Sequence, residues 1–133
     1  MQELRTIQEL NVDLGLTRAS NKPDFYASML RKFVVAQEDA TLRLRLALDR
    51  SDMVTVERIA HTLKGVAGNL GATVLPVMAE HLEMVVRTGA LRPDIEHALD
   101  ATVEALQHLI NGLKSTPGLV PTQNNATAPF TQA

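Results

Sequence analysis

The chain has 133 residues, no cysteine, a formal net charge of −2 and a hydrophobic fraction of 45%. This length fits one domain with room for a tail, and the lack of cysteine excludes disulfides, cysteine-ligated metals and a thiol nucleophile. The mixed charges give no basic footprint for nucleic acid, and no apolar run approaches the ~18 residues of a membrane-spanning helix. We therefore expect no nucleic-acid partner and no direct membrane insertion, with the reducing cytoplasm as the default location.

Helix-forming residues dominate the composition, and aromatic residues make up only 3%. Near the N-terminus, Leu4, Ile7 and Leu10 form a short apolar stripe, which predicts a linker or a short helix over residues 1–20. Along residues 21–114 the apolar residues recur at steps of three and four, which predicts helices throughout.

The first long run opens at Pro23, a residue tolerated in a first helical turn, and extends to about Arg50. Asp39 interrupts it and predicts a kink or a split. The core stripe of this run comprises Tyr26, Leu30, Phe33, Gln37, Ala40, Leu44 and Leu48.

The second helix is predicted to begin near Ser51 or Asp52, either of which can cap it. It should end at Leu70, because Gly71 can take the left-handed conformation that terminates helices. Its core stripe comprises Val56, Ile59, Leu63, Val66 and Leu70.

Thr73 is predicted to cap a third helix, which contains Pro76 in its first turn and stops before Gly89. The last helix is predicted from Pro93 to Lys114. The core stripe of the third helix comprises Leu75, Met78, Leu82, Val85 and Val86. The core stripe of the last helix comprises Ile95, Leu99, Thr102, Leu106, Leu109 and Leu113.

Short connections make successive helices antiparallel. The predicted fold is therefore an all-α, antiparallel up-down four-helix bundle over residues 21–114, with or without a short extra N-terminal helix. Residues 115–133 contain three prolines and no charged residue. Because such a composition cannot bury enough apolar surface to offset ordering, we predict a disordered tail there.

One histidine lies opposite the core stripe of the second helix. At about 100° per residue this histidine, His61, faces solvent. Lys64, Gly65 and Gly68 lie within about 60° of it, and Arg58 extends the same face toward the N-terminus. Glycine in an exposed helix costs about 1 kcal/mol relative to alanine, so both glycines need a compensating role. One such role is to bare the backbone, so that another surface can approach the imidazole.

Simpler interpretations exist for each feature. A lone exposed histidine is usually a solvated surface residue, and paired glycines can admit a neighbouring helix. Helix packing, however, would need the glycines on the apolar stripe, and they lie opposite it. An exposed neutral imidazole is a competent nucleophile toward phosphorus, and the ammonium of Lys64 can stabilise phosphoryl charge. No acidic cluster accompanies the histidine, so it resembles half of a reaction centre.

The sequence HTLKGVAGNLGA at residues 61–72 closely resembles the signature of histidine-containing phosphotransfer (HPt) domains. The resemblance implies that His61 accepts a phosphoryl group and that Lys64 assists. It also implies that Gly65 and Gly68 let a partner domain dock.

Two further segments support the resemblance. GLTR at residues 15–18, followed by DFY at 24–26, resembles the lead-in of HPt domains fused to the C-terminus of hybrid sensor kinases. LALDRSD at residues 46–52 resembles the turn before the histidine helix. The similarity covers about residues 12–113, and the lead-in favours a fragment of a larger kinase over a stand-alone protein.

The implied function is that of a phosphorelay intermediate in two-component signal transduction. His61 would take the phosphoryl group from a phospho-aspartate of one response-regulator receiver domain and pass it to another receiver. Docking is expected at Arg58, Gly65 and Gly68. The domain would be a monomeric carrier without catalysis of its own, would need no cofactor, and would rely on magnesium in the receiver. It would lie in the cytoplasm, free or tethered to the membrane's inner face through a parent sensor kinase.

Two alternatives stay open: the phospho-accepting domain of a chemotaxis-type histidine kinase, and a helical adaptor that is never phosphorylated. A metal- or haem-binding bundle is disfavoured because every histidine is predicted to face outward. We interpret the other three histidines as surface residues: His81, His97 and His108. His81 is predicted to lie on the outer part of the third helix, between Glu80 and Glu83. The exposed arginines that could make rim contacts to an acidic receiver are Arg43, Arg45 and Arg50.

Overall fold

The computed structural model describes residues 1–119, and residues 120–133 lie outside the described part. The elements are a 3₁₀ helix at Leu4–Thr6, α1 at Val12–Arg18, α2 at Pro23–Gln37, α3 at Ala40–Asp49, α4 at Met53–Asn69, α5 at Leu75–Arg87 and α6 at Arg92–Lys114. Residues 1–119 contain no strand, only an isolated antiparallel bridge between Leu10 and Ala72. The predicted all-α fold is confirmed. None of the helices in this range is long and apolar enough to cross a bilayer.

The helix boundaries follow the local signals in two places that matter for the site. The long first run is split beside Asp39, as predicted, into α2 and α3. Asp52 caps α4, because its side chain accepts a hydrogen bond from the backbone N–H of Thr55 at 3.1 Å. This cap fixes where the histidine helix begins.

The bundle is formed by the split α2–α3 pair together with α4, α5 and α6. α4 packs between α3 and α5, and α6 closes the bundle against α2, α3 and α5. The predicted stripes form the core, although Val66, Met78, Val85 and Val86 are only partly buried because they lie at the flanks of their stripes. Fully buried side chains include Tyr26, Leu30, Leu44, Leu63, Leu82, Leu99, Leu106 and Leu109.

Residues 1–20 hold the 3₁₀ helix and α1, and they dock onto the C-terminal end of α4. The N–H of Asn11 donates to the carbonyl of Gly71 at 2.7 Å, and the N–H of Thr73 donates to the carbonyl of Glu9 at 2.9 Å. The prediction that Thr73 caps α5 is wrong: the helix begins one residue later, and its N-cap side chain makes no hydrogen bond. Thr73 instead ties the N-terminal segment to the bundle.

Two glycines permit this docking. A Cβ on Gly15 would overlap the carbonyl oxygen of Leu70 and the ring of Tyr26. Gly71 has a φ of +90°, and a Cβ there would overlap the carbonyl of Asn11. The hydroxyl of Tyr26 donates to the same Leu70 carbonyl at 2.7 Å, and burial raises the pKa of Tyr26 to about 12. The end of α4 is therefore held by both the N-terminal segment and α2.

The chain continues past α6 in turns rather than in a helix or strand. Thr116 and Leu119 are buried, at 9% and 5% exposure, so the packed part of the domain reaches five residues into the predicted tail. The rest of that predicted tail, residues 120–133, lies outside the described residues.

Candidate functional site

His61 lies near the middle of α4 and points away from the core. Its side chain is 68% exposed. Ile59 and Leu63, its neighbours on the opposite side of the helix, are 7% and 0% exposed. The predicted orientation of this helix is therefore confirmed, and the imidazole is accessible to a partner.

A buried carboxylate from α5 holds the imidazole. Nδ1 of His61 lies 2.8 Å from Oε2 of Glu83, and Nζ of Lys64 lies 2.9 Å from Oε1 of the same group. The side chain of Glu83 is only 4% exposed. The prediction that Glu83 lies on the outer part of its helix is wrong, because the packing of α5 against α4 turns this position toward the histidine helix.

The charge of Glu83 determines which nitrogen of His61 is protonated. The hydrogen bond from Lys64, and then that from His61, lowers the pKa of Glu83 from 4.5 to about 2, although burial opposes the shift. An ionised carboxylate only accepts hydrogen bonds, so Nδ1 of His61 carries a proton and donates it. In the neutral imidazole this leaves Nε2 with a free lone pair on the exposed side of the ring.

Arg87 extends the network along α5. Its Nη2 lies 2.6 Å from Oε2 of Glu83, the oxygen that also receives Nδ1 of His61, and its Nε lies 2.9 Å from Oε2 of Glu57. The hydrogen bond to Glu57 and the charge of Glu83 raise the pKa of Arg87 above its ordinary value. Cations and carboxylates thus alternate across the contact between α4 and α5 and fix the ring of His61.

Gly65 and Gly68 continue the exposed side of α4 beyond His61. A Cβ at either position would meet nothing within 4 Å, so no neighbouring helix packs on them among residues 1–119. This supports the interpretation that the glycines bare the helix surface and argues against helix packing. Arg18 of α1 donates to the carbonyl of Gly68, so the N-terminal segment reaches the edge of this surface.

We call the surface formed by Val54, Arg58, His61, Gly65 and Gly68 the histidine face. Val54 is 69% exposed, and Arg58 is also exposed. Of the predicted site residues, His61, Arg58, Gly65 and Gly68 thus lie on one surface, and Lys64 lies at its α5 side, paired with Glu83.

The other histidines lie apart from this surface and are exposed, as predicted. Nδ1 of His108 lies 3.3 Å from Oε2 of Glu9.

Comparison with known families adds one finding. A family model described as Hpt domain matches residues 28–116, which is more than half of the chain and includes the whole histidine face and the Glu83 network. The matched range begins after α1, so the docking of α1 on the histidine helix is a feature seen only in the structure. No curated protein and no solved structure matches the chain significantly.

Proposed function

Because the chain belongs to the Hpt domain family, whose members carry phosphoryl groups on histidine in two-component signalling, we propose that it is a phosphorelay intermediate. His61 accepts the phosphoryl group from the aspartate of one receiver domain and passes it to the aspartate of another. The observation that carries this proposal is the exposed imidazole of His61, whose Nδ1 is held by the buried carboxylate of Glu83, so that Nε2 is left for the phosphoryl group.

The transfer step needs no proton to leave the imidazole. The lone pair of Nε2 attacks phosphorus, the bond from phosphorus to the aspartate oxygen breaks, and its electron pair returns to that carboxylate. Nδ1 keeps its proton throughout, so the ring gains positive charge, which the carboxylate of Glu83 offsets at 2.8 Å. Attack by the second receiver's aspartate on the phosphohistidine reverses these changes and restores the neutral ring.

Lys64 and the two glycines have separate parts in this proposal. The ammonium of Lys64 is held one turn from His61, where its charge can stabilise the phosphoryl oxygens. The bare surface at Gly65 and Gly68 lets the receiver bring its aspartate to the near-attack distance of about 3–3.5 Å. In this proposal magnesium belongs to the receiver, and the chain carries the group without catalysing a reaction of its own.

We further propose that the domain works in the cytoplasm, as part of a hybrid sensor kinase. The support is the resemblance of residues 15–18 and 24–26 to the lead-in of kinase-fused domains.

The test is to supply the chain with two kinds of phosphoryl donor. One reaction contains phosphorylated receiver domains, and the other contains ATP with the catalytic domain of a chemotaxis-type kinase. We expect the phosphorylated receiver to label the chain, and we expect no label in the reaction with ATP and the kinase domain. Label from ATP alone would favour the chemotaxis-type alternative, and no label from either donor would favour the adaptor. His97→Gln, a change at an exposed histidine on α6, is the control and should be labelled like the unmodified chain.

A further inference from the structure

On its α3 side, the histidine face opens into a cleft with a volume of about 470 Å³. We call it the arginine cleft. Residues that line it include Arg43, Arg50, Arg58, Asp52, Leu46 and Thr62. Thr62 directly follows His61 in α4, so the cleft begins beside the nucleophile.

Positive charge exceeds negative charge in the arginine cleft, because three arginines and one acidic residue line it. Arg43 has Asp39 at 3.1 Å. Arg50 and Arg58, in contrast, have no carboxylate within 4 Å anywhere in residues 1–119. Asp52 is the one acidic residue in the lining, and its side chain caps α4. The hydrogen bonds from Thr55 and then the charges of Arg58 and Arg50 lower the pKa of Asp52, so it offsets part of the positive charge of these two arginines.

The α5 side of the histidine face has no excess of positive charge. There the ammonium of Lys64 lies 2.9 Å from Glu83, and the guanidinium of Arg87 lies 2.6 Å from Glu83 and 2.9 Å from Glu57. Lys64 and Arg87 are therefore both ion-paired with carboxylates within the domain. Beside His61, the excess of positive over negative side chains therefore lies on the α3 side, whereas Arg18 lies at the far end of the face, where it donates to the carbonyl of Gly68.

We propose that the receiver docks off centre, over α3 and the arginine cleft, with acidic side chains beside its phosphorylated aspartate entering the cleft. This inference rests on the proposed function, since the occupant is the receiver. An interface of about 800 Å² on this chain extends roughly 16 Å from its centre, so a single interface is wide enough to include both His61 and the cleft beside it. Leu46 and Val54, at 40% and 69% exposure, supply apolar contacts around it.

A matched pair of charge reversals tests this orientation. Arg50→Glu reverses a charge in the cleft. Arg45→Glu makes the same change close by, but Arg45 faces Asp100 of α6 at 2.7 Å and does not line the cleft. We expect Arg50→Glu to slow transfer from a phosphorylated receiver about tenfold at low salt, because charges at the rim of an interface act mainly on the association rate. At about 0.5 M salt the slowing should be smaller, because salt screens these charges. Arg45→Glu should stay within about twofold of the unmodified chain, and circular dichroism checks that both variants fold.

The second measurement locates the receiver directly. Backbone amide signals of the ¹⁵N-labelled chain are followed while the best-transferring receiver is added. We expect shifts in and just after α3 around Leu46 and Arg50, and weak ones on the outer side of α5 around Val77 and Met84. Shifts on α5 without shifts on α3, or equal effects of both charge reversals, would overturn the inference while leaving phosphorylation of His61 intact.

Two other outcomes are also decisive. If the cleft amides respond to an acidic peptide such as polyglutamate but not to the receiver, a different partner occupies the cleft and the proposal is wrong. If no receiver transfers phosphate to the unmodified chain, the proposed function fails, and the docking orientation fails with it.

Discussion

Nδ1 of His61 and Oε2 of Glu83 lie 2.8 Å apart, although 22 residues separate the two in the chain and they sit on different helices. This contact joins the exposed nucleophile on α4 to a buried charge on α5. It fixes the ring orientation, assigns the proton to Nδ1 and leaves Nε2 for phosphorus. The reactivity of His61 therefore depends on how α4 and α5 pack.

Glu83→Gln keeps the shape of this side chain but removes its charge. The amide can present either its oxygen or its NH₂ group to Nδ1, so the proton is no longer confined to that nitrogen. We expect transfer to His61 to slow by about 10–100-fold, the range seen when a group that orients a metal-binding histidine is lost. The ¹⁵N spectrum of the imidazole should show mixed tautomers. Glu80→Gln, an exposed change on the same helix, is the control, and equal rates for both variants would contradict this role.

Glu83 should also make the free energy of unfolding depend on pH in the acidic range. Because its pKa is lowered from 4.5 in the unfolded chain to about 2 in the folded one, the carboxylate stabilises the fold above about pH 4.5. That contribution is lost as the pH falls toward 2. Urea unfolding of the unmodified chain and of Glu83→Gln from pH 6 to pH 2 should therefore give a stability difference that shrinks in this window. A difference that is constant with pH would show that Glu83 is not linked to folding in this way.

Gly68 separates stability from transfer. Since a Cβ there meets nothing within 4 Å, Gly68→Ala should raise stability by up to about 1 kcal/mol. Gly68→Gln should also fold, but its side chain would occupy the surface that the receiver must approach. A displacement of the reacting atoms by about 1 Å can slow transfer on the order of 100-fold. Thermal melting and transfer are measured on the same preparations, and a loss of stability with unimpaired transfer would contradict the docking role.

Gly15→Ala tests whether the N-terminal segment belongs to the folded domain. The added methyl would overlap the Leu70 carbonyl and the Tyr26 ring, so we expect a loss of about 1–3 kcal/mol in the free energy of unfolding. Gly65→Ala is the matched control, because the same methyl there enters open space and should leave stability unchanged or raise it. Equal effects in urea unfolding would mean that α1 is not packed on α4 in solution.

Much of the bundle can be predicted from the sequence because its signals are local. The apolar steps of three and four, the break beside Asp39 and the cap at Asp52 depend only on residues within a few positions of each other. The exposure of His61, Gly65 and Gly68 follows from the same helical geometry. These features do not depend on which helices become neighbours.

The features that the sequence does not predict depend on contacts between distant segments. Glu83 is a charged residue one position after the buried Leu82, at the edge of the apolar stripe of α5, with Arg87 one turn later. That pattern is a weak signal for a buried ion pair, but only the packing of α5 on α4 shows that the partners are His61 and Lys64. The prediction for Thr73 is wrong for the same reason, since its backbone N–H bonds to Glu9, far away in the chain.

Phosphoryl acceptance by His61 is tested most directly by transfer from a phosphorylated receiver to the unmodified chain and to His61→Gln. Because the side chain of His61 is 68% exposed, the variant should keep its helical circular dichroism and melt within a few degrees of the unmodified chain. We predict acid-labile label on the unmodified chain and none on His61→Gln. Undiminished labelling of the folded variant would show that another residue accepts the phosphoryl group, and it would contradict the role proposed for His61.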